Sequence, residues 1–82
     1  MLPETVDAAV DVLLVSMRTK DKDALTVLCE EDIQKQSPLC LWIRRKFDLQ
    51  DNRALRYNTG KRHPDEAAFV ILEAAWKRLR GT

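Results

Sequence analysis

His63, Asp65 and Glu66 come closest to a chemical constellation in this chain of 82 residues. An imidazole beside carboxylates can hold a metal ion or trade a proton as acid and base. The same residues surround Pro64 and describe a helix start equally well, with proline suited to the first helical position and acids suited to the positive end of the helix dipole. A single histidine falls short of the three protein ligands usual for catalytic zinc. Cys29 and Cys40 lack Cys-x-x-Cys spacing and are expected as buried free thiols. No glycine-rich phosphate loop or nucleophile elbow is present. The expectation is therefore no enzyme, no catalytic residue, no metal and no cofactor.

Charge offers a second kind of chemistry. The formal net charge of +1 conceals a polarity: residues 1–37 carry eight acids and four bases, residues 38–82 five acids and ten bases. Arg44, Arg45, Lys46, Arg53, Arg56, Lys61 and Arg62 cluster in sequence around Tyr57, with Lys77, Arg78 and Arg80 as a second group. Several cations on one surface attract phosphate, and an aromatic ring can stack on a base. The alternative is a set of solvated helix faces, consistent with a pI near 7.8 and with the lack of a recognisable nucleic-acid motif. Arg44 stands at the border of an apolar arc. It is expected to be partly buried and to bridge to Asp65 or to carbonyls of the 50–60 loop; the competing arrangement pairs it weakly with Asp48.

The elements that must position these groups read as helices. Ser37 to Leu49 opens with a capping serine and Pro38, and places Leu39, Cys40, Trp42, Ile43, Phe47 and Leu49 on one broad arc, so it is expected to be the central core helix. Val6, Ala9, Val10, Leu13, Leu14 and Met17 recur at the helical period and define a first helix reaching about Thr19. Asp21 or Asp23 can cap a short second helix carrying Leu25 and Leu28. Glu30-Glu31-Asp32 either opens a further turn around Ile33 or forms a solvated loop. Residues 50–60 read as a loop with one helical turn at 52–57, anchored by Leu55 and Tyr57. From Pro64 a last helix presents Ala68, Phe69, Ile71, Leu72, Ala75, Trp76 and Leu79. Trp42, Arg44, Phe47, Asp65 and Trp76 are the expected structural residues.

The runs Leu39-x-x-Trp42-Ile43-Arg44-x-x-Phe47-x-Leu49 and His63-Pro64-Asp65, with Trp76-x-x-Leu79 and an opening Leu2-Pro3-Glu4-Thr5-Val6, resemble a family of small, mostly bacterial domains of unknown function. That resemblance covers nearly the whole chain and implies no activity, ligand or cofactor.

An apolar fraction of 45% with 33% charged residues and only two glycines suits a folded helical chain, and no apolar run reaches membrane-spanning length. The expected fold is all-α, one compact domain over residues 1–82 with four main helices and a short helical turn. The expected location is cytoplasmic, away from the membrane. The expected role is a non-enzymatic protein-interaction domain, binding another copy or an unidentified protein; the alternative is nucleic-acid or other anion binding through residues 44–62. Ala8, Val12 and Val15 form a second apolar strip on the first helix, either covered by the 20–36 segment or serving as an interface. Candidate contact residues are Ala8, Val12, Val15, Arg44, Arg45, Arg53, Arg56 and Arg62.

Overall fold

The computed structural model describes residues 2–33 and 37–81, the side chains of Glu30 and Ser37 excepted. Within them the chain is all-α, with no strand: α1 (Val6–Ser16), α2 (Thr19–Thr26), α3 (Glu30–Ile33), α4 (Ser37–Lys46), α5 (Arg53–Thr59) and α6 (Pro64–Leu79).

Helix α1 begins where two oxygens satisfy its free amides: Thr5 Oγ1 accepts from Ala8 N at 3.2 Å, and Asn58 Oδ1 of α5 accepts from Val6 N at 2.7 Å. It ends at Ser16, short of the expected Thr19, because Met17 takes an extended backbone and turns its side chain into the core. Helix α2 then starts at Thr19, ahead of both acids expected to cap it; Asp21 sits in its first turn instead. The acidic cluster does open a helix, and Ile33 at its end is fully buried. The cap expected of Ser37 lies outside the described side chains.

Helix α4 ends in a six-residue cap without glycine. Leu49 N donates to Arg44 O at 3.0 Å and Asp48 N to Arg45 O at 3.3 Å, with Asp48 in the left-handed region at φ 49. Aspartate tolerates that conformation better than most side chains, and the turn drives Leu49 into the core. Asn52 then ties three segments together. Its Oδ1 caps α5 by accepting from Leu55 N at 3.2 Å, and its Nδ2 donates to Pro3 O at 3.1 Å and Phe47 O at 3.3 Å. Leu55 anchors α5 as expected, but Tyr57 does not: it is 89% exposed.

The central helix is α6, not α4. It packs against α4, α1, α5 and α2, and buries Pro64, Ala67, Ala68, Ile71, Leu72, Ala75 and Trp76. Three alanines in that set let neighbouring helices approach closely. Helix α4 buries Ile43 within its own length and Phe47 just beyond it. Trp42, expected in the core, is 40% exposed. On a helical wheel it stands about 120° from the midpoint between Ile43 and Phe47, and the buried stripe is narrower than the sequence arc. Lys46, one turn on, places its Nζ 5.5 Å from the ring centroid. Trp76 is 8% exposed, donates Nε1–H to Leu28 O at 3.0 Å and carries the Arg80 guanidinium 4.9 Å from its ring centroid.

Candidate functional site

The two edges of α4 and the outer side of α5 carry the surfaces able to recognise something. On one edge, Arg44 donates through Nη1 to Asp65 Oδ1 at 2.9 Å and through Nη2 to Gln50 Oε1 at 2.8 Å. The guanidinium fork thus links α4, the turn after it and the start of α6. The pair is solvated, with side chains 32% and 58% exposed, so its worth to stability is at most about 1 kcal/mol. Asp65 is positioned by the cap of α6: His63 Nδ1 accepts from Asp65 N at 3.2 Å, and Pro64 occupies the first turn. The imidazole is thereby used as a helix cap. Among the described residues, no three His, Cys, Asp or Glu side chains gather as a metal site.

Beside this bridge lies an open cleft of about 670 Å³ lined by Cys40, Leu41, Arg44, Lys61, Asp65, Glu66 and Phe69. Burial, and then the negative charge of Asp65, push the Cys40 thiol above its ordinary value. That direction disfavours the thiolate, so Cys40 is a poor nucleophile at neutral pH. Cys40 is half-buried, whereas Cys29, also expected inside, is exposed and donates Sγ–H to Asp32 Oδ2 at 3.2 Å.

On the opposite edge of α4, Trp42 and Leu39 meet Ser16, Met17, Arg18 and Asp21 around a shallow trough of about 410 Å³. Val12 lies one helical turn before Ser16 and Val15 immediately before it. Both are exposed, Val15 at 86%, and Ala8 is half-buried. Among the described residues, the part of the 20–36 segment up to Ile33 therefore leaves Val12 and Val15 of the second α1 strip uncovered. Helix α2 packs instead on α6, through Leu25 and through the Leu28 carbonyl that receives Trp76 Nε1 and Arg80 Nη1.

The basic residues divide. Arg53, Arg56, Tyr57, Lys61 and Arg62 line a depression of about 320 Å³ on the outside of α5. Arg44, Arg45 and Lys46 do not join them: Arg44 is held at Asp65, Lys46 lies near Trp42, and Arg45 is exposed. Arg78 is drawn away too, pairing across to Asp7 at 3.7 Å and to Asp11 of α1.

A family model matches residues 2–79, so it spans every helix of the fold. The chain belongs to that family, Domain of unknown function (DUF6794). Neither a curated protein nor a solved structure matches it. The domain's biochemical role is unknown, and the family match supplies no ligand or activity. No described helix is long and apolar enough to cross a membrane.

Sequence reasoning did not assign Asn52 its role as a three-way tie, although an Asn ahead of a helical turn is a legible cap signal. The Leu28 carbonyl had no signal at all, since a backbone acceptor is the same at every residue.

Proposed function

We propose that this domain is a non-enzymatic protein-interaction module that self-associates through the α1/α4 face, working in the cytoplasm. The observation that carries this reading is a half-exposed tryptophan beside an exposed valine strip: Trp42 closes one side of the trough, and Val12 and Val15 continue from Ser16 on the other. Tryptophan is enriched among the residues that dominate interface energetics, and apolar side chains presented together favour association. The rim carries both signs, Arg18 and Lys46 with Asp21, which gives a two-fold contact cations and acids to set against each other. The use of His63 as a cap and the raised Cys40 thiol support the non-enzymatic part, and the two free cysteines suit a reducing compartment.

Sedimentation equilibrium tests the proposal. The wild-type chain is expected at dimer mass, and a variant carrying Val12→Lys and Val15→Lys at monomer mass with unchanged helical circular dichroism. A wild-type monomer at high concentration, or a folded double variant that stays dimeric, overturns it.

A further inference from the structure

We infer that the depression on α5 is a single-stranded nucleic-acid site, distinct from the α1/α4 face. The segment Arg53-Ala-Leu-Arg-Tyr-Asn-Thr-Gly-Lys-Arg62 holds four cations and no acid. The fold bends it back on itself. Gly60 takes φ 78 at the end of α5, a conformation that suits glycine, and the chain then returns so that Arg62 O accepts from Arg56 Nη1 at 2.8 Å. Thr59 braces the bend: its Oγ1 donates to Arg56 O at 2.6 Å and accepts from Lys61 N at 3.2 Å. Every side chain lining the resulting depression is cationic or aromatic.

Two features point to a ligand. Arg53, Lys61 and Arg62 are exposed and form no ion pair among the described residues, although acids are available elsewhere on the surface and are used by Arg44, Lys77 and Arg78. Tyr57 stands among them 89% exposed, while Leu55 is the described residue of α5 that is buried in the core. A solvated aromatic flanked by uncompensated cations matches the general recipe for single strands, in which phosphates follow the charges and an unpaired base stacks on the ring. A duplex offers no free base face to Tyr57. The charge complementarity is local: Lys61 also borders the cleft containing Asp65 and Glu66, so the cationic surface stops there and engages only a few nucleotides. A contact of that size binds weakly and depends on salt.

Fluorescence anisotropy on the full chain at low salt tests the inference, using short labelled oligothymidylate and oligouridylate and a matching duplex. Binding of either single strand in the micromolar range, weakened about tenfold or more by Tyr57→Ala, retained by Tyr57→Phe and shallower in salt dependence with Arg53→Ala and Arg62→Ala together, is the expected result. All these positions are exposed, so thermal unfolding midpoints should match the wild type. Absence of binding at about 100 µM protein overturns the site, as does binding indifferent to Tyr57→Ala or equally tight for the duplex; the last two outcomes reduce it to unspecific charge attraction.

Discussion

The surroundings of the two tryptophans differ more than their local sequences do. Each sits in a helix with a cation four residues later whose charge lies near the indole: Lys46 for Trp42 and Arg80 for Trp76. Trp76 is nevertheless core and Trp42 is surface. Helix α6 meets neighbours on several sides, so the flank bearing Trp76 is closed by α2 and the Leu28 carbonyl receives the indole N–H. Helix α4 packs chiefly on α6. Its Trp42 edge borders an open trough. Amphipathic patterning therefore locates the middle of a buried stripe, and the number of neighbouring helices sets its width.

Substitution can break that comparison. Trp76→Ala removes a buried ring and is expected to cost on the order of 3–5 kcal/mol in urea unfolding, against about 1–2 kcal/mol for Trp42→Ala at its 40% exposed position; equal losses would erase the distinction. Trp76→Phe sharpens it by keeping most of the apolar volume and deleting the N–H. A loss of about 1–2 kcal/mol is expected, softened because Arg80 Nη1 still donates to Leu28 O at 3.2 Å. The Arg44 edge of α4 provides an internal control: Arg44→Lys should lose about 0.5–1 kcal/mol by giving up one of its two acceptors, and Arg45→Lys should be neutral in the same urea titration. Thiol labelling gives the smallest effect. An alkylating reagent near neutral pH should modify exposed Cys29 before Cys40, and Cys40 should catch up only as the pH rises toward its raised value, since only the thiolate reacts.

The Arg44–Asp65 contact was legible because two strong local signals converge: a cation at the edge of an apolar arc, and an acid fixed in the first turn of a proline-started helix. Trp42 and Tyr57 depart from the sequence pattern for the opposite reason. Aromatic size argues for burial, and nothing in either local pattern says whether another helix arrives to cover the ring.

By itself, the sequence determined the all-α class, the apolar seams of α1 and α6, the start of α6 at Pro64 and the polarity of charge, because propensity, capping and helical period act over a few residues. Only the tertiary structure decided that α6 and not α4 is central, that Asp48 turns the chain without glycine, and that Asn52 joins the segment before α1 to α4 and α5. It also decided which cations are spent on acids and which remain around Tyr57. Each of those outcomes depends on which distant backbone or side-chain atoms come within hydrogen-bonding or packing distance, and residues far apart in the chain acquire that proximity only when the helices dock.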